Sequence, residues 1–233
     1  LKIFFLCLFI LDCSQLKKPF LEEVDNLKTD SLAPFYHGVA SGDPLENKVI
    51  IWTRVTPKNY MKKIPVSWKV SEFSDFRNIH KNGEFITDSD RDFTVKIDVD
   101  DLTPGTTYYY QFESFGQKSV TGRTKTINSS SDSLRFAIVS CSDYQRGFFN
   151  SYSSLAEEEN IDAVVHLGDY IYEYKSRDYS NGIFDRLHLP DKEIVTLSDY
   201  RTRHSQYKLD IDLIDAHKNH PFILIWDDHE TSN

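Results

Sequence analysis

The chain changes its polarity rhythm twice. After Lys2 an almost unbroken apolar run extends from Ile3 to Leu11. At about nine residues it is too short for a bilayer span of about twenty and has the size of a signal-peptide core. Residues 1–16 are therefore expected to be an export segment, and the polar stretch 17–34 a linker. From Phe35 to about Thr126 apolar and polar residues alternate in short runs, the period of half-buried strands. Lys48–Arg54, Pro65–Val70, Phe93–Val99, Thr106–Ser114 and Val120–Thr126 are the expected strands, with a Pro-Gly turn inside Asp101–Gly105. Five or more strands in about 90 residues predict a β-sandwich of immunoglobulin or fibronectin III kind over 35–127. Trp52, Trp68 and Tyr108, Tyr109 and Tyr110 are assigned mostly to its core and one face.

Asn128–Ser133 (NSSSDS) reads as a second linker, and beyond it continuous apolar runs alternate with helical patterns. That rhythm predicts an α/β domain over 134–233, its sheet covered on both faces. Strands are expected at Leu134–Ser140, Ile161–Leu167 and Phe222–Trp226. A helix is expected at Gly147–Glu159, and two more at Ser198–Lys208 and Ile211–Lys218, capped by Ser198 and Asp210.

Composition narrows the function. The formal charge of −9, from 27 Lys and Arg against 36 Asp and Glu, argues against a general binder of phosphate backbones, so no specific nucleic-acid partner is expected. Of three cysteines, Cys7 lies in the apolar run, and Cys13 at its end resembles the lipid-attachment cysteine of a bacterial lipoprotein. Export to the periplasm, cell surface or medium follows as an expectation, with a lipid anchor through Cys13. Cys141 alone cannot build a disulfide framework.

The candidate chemistry sits where the strands of the second domain end. They run into Cys141-Ser142-Asp143-Tyr144, Gly168-Asp169-Tyr170-Ile171-Tyr172 and Asp227-Asp228-His229-Glu230. In open α/β sheets ligands collect outside the carboxyl ends of the strands, so these groups can converge there. One Asp after a strand is usually a cap or turn former; three such ends together point to a metal site. Asp169 stands where a carboxylate would bridge two cations about 3.5–4 Å apart. The thiolate of Cys141 and phenolate of Tyr172 suit a trivalent ion such as iron. Asp228 would complete a second metal, and His229 would contact a substrate oxygen or protonate a leaving group. Arg146 and Lys175 are either phosphate contacts or surface charges. Tyr170, Tyr174 and Tyr179 either stack on substrate or pack, and Tyr200, His204 and Tyr207 fit a buried helix face. His37 and Asp43 are either functional or simply turn residues before the first strand.

Several long motifs now stand in order. FYHGVASGDP with the following VIIWTRVTP, then DLTPGTTYYYQF, SCSDYQ, HLGDYIYEY and WDDHETSN together resemble the PhoD-like alkaline phosphatases and phosphodiesterases, from Phe35 to Asn233. The resemblance implies a metallophosphatase-like four-layer αββα catalytic domain and an exported enzyme hydrolysing phosphate monoesters and diesters. Its substrates would be small phosphate esters or phospholipid and nucleotide diesters, and its cofactors Fe3+ and Ca2+. Cys141, Asp169 and Tyr172 would hold iron with Asp169 bridging, Asp228 would bind the second metal, and Asn233 would be a further ligand. The family often carries a twin-arginine signal, and no Arg pair precedes the apolar run here. It also has later His and Asp ligands in a GD-x-H block. None follows Asn233, so the chain is expected to be a fragment with half a site, weakly active or inactive alone and exposing a sheet edge. Two competing readings are a surface-anchored β-sandwich binding protein with a relic phosphatase domain, and a diester-only hydrolase of phospholipase D or nuclease type.

Overall fold

A computed structural model describes residues 20–178 and 186–231. The apolar run, Cys7, Cys13, Tyr179 and Asn233 fall outside these residues. The first part contains eight strands: β1 (Val39–Gly42), β2 (Val49–Arg54), β3 (Lys63–Ser71), β4 (Lys81–Asp88), β5 (Thr94–Val99), β6 (Thr107–Ser114), β7 (Gln117–Lys118) and β8 (Gly122–Lys125). The second contains β9 (Phe136–Val139), α1 (Asn150–Glu157), β10 (Ala163–His166), α2 (Leu197–Tyr207), α3 (Ile211–Asn219) and β11 (Pro221–Leu224).

Two sheets form, one ordered β5-β2-β1-β11-β10-β9, the other β4-β3-β6 with β7 and β8 both paired to β6. The amino-terminal part is sandwich-like, because period-two alternation gives each strand one apolar face. Val49, Ile51, Val95 and Val99 meet Ile64, Val66, Val70, Tyr108, Tyr110 and Phe112 in a common core. Trp52 and Trp68 are half-buried at its margins. Residues 20–34 are not a free tether: Val24 is buried, Phe20 packs edge-on against Phe93, and Glu22 pairs with the buried Arg54, which also holds Asp92.

Three strands are absent from the sequence reading: the two-residue β7, β4 and β1. β4 carries Gly83, a poor strand former, yet Trp68 opposite it lies over the glycine, where a Cβ would come within 2.9 Å of the indole. β1 is short and made of small residues, and it becomes a strand through its neighbours. It pairs antiparallel with β2 on one side and parallel with β11 on the other, Ser41 facing Pro221 and Gly42 facing Phe222. A Cβ on Gly42 would stand 2.7 Å from the Phe222 carbonyl oxygen. The sandwich and the parallel strands thus share one six-stranded sheet.

The cap of α2 is Thr196 rather than Ser198. Its hydroxyl accepts from the Asp199 N–H at 3.2 Å while the Asp199 carboxylate accepts from the Thr196 N–H at 3.1 Å, a reciprocal capping box. Asp210 caps α3 as expected, accepting from the Asp212 N–H at 3.0 Å. The expectation of a sheet covered on both faces is not met among the described residues. The helices build a core on one face, with Tyr152, Leu155, Tyr207, Leu213 and Ala216 against Val164 and Phe222. On the other, Phe136, Ile138, Ile223 and Ile225 are exposed, and β9 forms a sheet edge. β9, β10 and β11 run parallel in register, so their carboxyl ends open at the same rim.

Candidate metal centre

Three turns meet at that rim. Cys141 and Asp169, at the ends of β9 and β10, both adopt left-handed backbone, φ 59° and 54°. Non-glycine residues take that region at a cost, and such strain gathers where a side chain must be aimed. The Cys141 N–H donates to the Gly168 carbonyl at 3.2 Å and the Ser142 N–H to the Asp169 carbonyl at 2.8 Å, lacing the first two turns. Gly168 lets the third turn close in: with φ 106°, a Cβ there would lie 2.5 Å from the Asp227 Cβ and 2.8 Å from its nitrogen.

The donor atoms converge on Asp169, which is buried. The Cys141 thiol donates to its Oδ2 at 3.5 Å and the Tyr172 hydroxyl to the same oxygen at 3.3 Å. Asp169, Asp228 and His229 each offer one ligand atom, all within 4.8 Å of one another. The remaining oxygen, Oδ1 of Asp169, is buried without a hydrogen-bond partner. A buried carboxylate oxygen left so is costly, and a cation is the partner that would satisfy it. The donor set of thiol, phenol, two carboxylates and an imidazole therefore fits a metal ion on the chain's own geometry. Cys141 and Asp228 are exposed, so the cluster opens to solvent on their side. Burial, followed by the charge of Asp169, pushes the Tyr172 phenol up and keeps it a protonated donor; a nearby cation inverts that balance.

His229 is buried and paired: its Nδ1 lies 2.8 Å from Glu173 Oε2, and its ring centroid 4.2 Å from that of Tyr172. Burial opposes the charged imidazolium, but the Glu173 hydrogen bond and the charges of Glu173, Asp169 and Asp228 outweigh it, so the pKa stands above the ordinary histidine value. Glu173 escaped the sequence reading although it stands in the same motif, an even number of residues past Asp169. Glu230 escaped it too, although it follows Asp227 by three residues, the spacing of a capping box.

The other expected contacts disperse. Arg146 is exposed and pairs with Asp143 at 3.2 Å, and Lys175 is exposed. Tyr170 is packed, its hydroxyl 2.8 Å from His217 Nε2, and Tyr207 is fully buried. His37 is buried with Nε2 2.6 Å from Ser205 Oγ, tying the turn before β1 to α2. Asp43 is a turn residue with φ 46°, its N–H donating to the Phe222 carbonyl at 3.1 Å.

Comparison with known proteins identifies the family. Residues 23–128 match the family model "PhoD-like phosphatase, N-terminal domain", and residues 136–233 match "PhoD-like phosphatase". The chain is 37% identical over 220 residues to alkaline phosphatase D of Bacillus subtilis (strain 168), covering 91% of this chain and 38% of that protein. A solved structure of PhoD superposes with a TM-score of 0.81 at 39% identity, covering 87% of this chain and 40% of that one. The chain thus spans about two fifths of the length of these relatives.

Proposed function

The chain belongs to the PhoD-like phosphatase family, and from that premise we propose that it carries part of the active centre of a metal-dependent hydrolase of phosphate monoesters and diesters. The observation that carries the reading is the convergence of Cys141, Tyr172, Asp228 and His229 on Asp169, whose Oδ1 has no protein partner. Cys141, Asp169 and Tyr172 would hold a trivalent iron and Asp228 a Ca2+, with Asp169 between them and Asn233 a further ligand. Bound cations of this kind supply Lewis-acid polarisation of phosphoryl oxygens and favour ionisation of a water molecule.

The chain's own residues supply the rest. Glu173 fixes the His229 tautomer by accepting from Nδ1. Nε2 is thereby turned to proton traffic with a phosphoryl or leaving-group oxygen. The strained turns at Cys141 and Asp169 aim their donors before any ligand arrives, which spares reorganisation at binding. Export, with or without a lipid at Cys13, belongs to the same proposal.

Cation binding by the purified chain, measured by metal analysis after dialysis against Fe3+ and Ca2+, tests the reading. The wild type is expected to retain metal and Asp169→Asn to lose it. Any release of nitrophenol from nitrophenyl phosphate or its bis-ester should vanish in the same variant and on chelation. Metal retention equal in wild type and Asp169→Asn would overturn the proposal.

A further inference from the structure

Glu230 performs none of the roles assigned above, yet its carboxylate is the most heavily used acceptor at the rim. Oε2 accepts from the Asp169 N–H at 3.0 Å and the Asp227 N–H at 2.7 Å. Oε1 accepts from the Tyr170 N–H and, at 3.2 Å, from the Ile171 N–H. Three successive amides after β10 therefore point at one carboxylate. The left-handed Asp169 that starts the run turns them inward and makes a backbone nest, a concavity that binds an anion.

In this chain the anion is internal. The Asp227 amide belongs to the turn after β11, so one side chain spans two turns that no strand pairing joins beyond Leu224. Hydrogen bonds to an ionised acceptor are short and about twice as strong as neutral ones. Four of them on one carboxylate fix both turns at once.

We propose that Glu230 is a positioning residue: its carboxylate fills the nest at 169–171 and, by holding the Asp227 amide as well, sets Asp169 at its distance from Asp228 and His229. The nest is thereby closed to substrate phosphate, which must be held elsewhere at the rim. The consequence for cations rests on the metal reading above, whereas the consequence for the backbone does not.

The test compares wild type, Glu230→Ala and Glu230→Gln in the full chain. Gln keeps one acceptor oxygen and the volume but loses the charge. Amide hydrogen exchange at Asp169, Tyr170 and Ile171 is expected to quicken about ten-fold or more in Glu230→Ala, and by an intermediate factor in Glu230→Gln. Protection in β2, β3 and β6 should be unchanged. Binding of Co2+, a spectroscopic probe of thiolate and carboxylate ligation, is expected to weaken about 10- to 100-fold in Glu230→Ala, as for other residues that orient ligands. Exchange at 169–171 equal to wild type would overturn the proposal. So would quickened exchange with Co2+ affinity kept within about two-fold, the outcome for a plain turn cap. If Glu230→Ala unfolds as a whole, Glu230→Gln decides by the same two readouts. If the wild type binds no Co2+, the metal reading falls, and the exchange pattern alone decides whether Glu230 holds the two turns.

Discussion

Replacing Arg203 by Met is expected to destabilise the protein out of proportion to the atoms removed. Arg203 lies on α2 and is fully buried, and its described hydrogen bonds all run to backbone carbonyls. Nε donates to Leu189 at 2.9 Å, Nη2 to Pro190 at 3.1 Å and Lys192 at 3.3 Å, and Nη1 to Tyr172. Burial pulls its pKa down to about 10, which still leaves the guanidinium charged at neutral pH. Met fills much the same space as the Arg stem, so the cavity term is small. The loss then comes from the Tyr172 carbonyl, in a buried residue, and the Leu189 carbonyl, in a half-buried one, whereas the Pro190 carbonyl keeps the Lys192 N–H at 2.8 Å. At about 1–3 kcal/mol for the buried carbonyl and about 1 kcal/mol for the half-buried one, partly offset by no longer burying a cation, the net cost is about 2–3 kcal/mol. For a chain of this length, each kcal/mol lowers the melting midpoint by about 2–4 °C, so calorimetry should show a fall of about 4–12 °C. Arg203→Lys should recover only a small part, because an ammonium is a point donor and cannot span carbonyls on both sides of the fork. A midpoint for Arg203→Met within about 2 °C of wild type would refute the reasoning, since it would mean that those carbonyls find other donors at no cost.

Three further outcomes are expected. His188 is fully buried between Tyr207 and the Tyr174 carbonyl, and burial pushes its pKa down to about 3. Below about pH 6.5 the unfolded chain takes up a proton that the folded chain refuses until about pH 3. Stability should therefore fall with acidification through that window by about 1.4 kcal/mol per pH unit from this group, and urea titrations of His188→Gln should show a slope shallower by that amount. Gly168→Ala should force the turn off Asp227 and weaken Co2+ binding at least ten-fold while leaving the sandwich amides protected, because the close approach is local. Cys141→Ser should cut retained iron while leaving calcium retention, and unchanged iron would remove Cys141 from the donor set.

The residues of the candidate metal centre were legible because each follows a short apolar run, and a parallel sheet brings run-ends together wherever its strands lie. That logic located Cys141, Asp169, Tyr172, Asp228 and His229 without any helix being placed correctly to the residue. Glu173 and Glu230 were illegible for the opposite reason. Their importance lies in acceptors aimed at a histidine ring and at backbone amides, and acidic residues in such a motif look alike until the turn is folded. In the fold, strong alternation revealed β2, β3, β5 and β6, whereas β1 has too little pattern of its own and is a strand only because β2 and β11 flank it. The α2 cap slipped by two residues because Ser198 is by type a better cap than Thr196, and only Asp199 at the right spacing from Thr196 completes the reciprocal pair.

The pairing of β1 with β11 also fixes an order of events during synthesis. Ser41 emerges about 180 residues before its partner Pro221, so the centre of the larger sheet stays open while everything between them is made. Until then β1 has hydrogen-bonding groups on one side with no strand to receive them, the kind of edge that recruits foreign strands. Contacts so far apart in sequence also close slowly, since the entropy of the loop must be met before they form. A nascent chain stalled before β11 should therefore aggregate more readily than one stalled just after it, and a peptide spanning Pro221–Leu224 supplied in trans would be a natural shield for that edge.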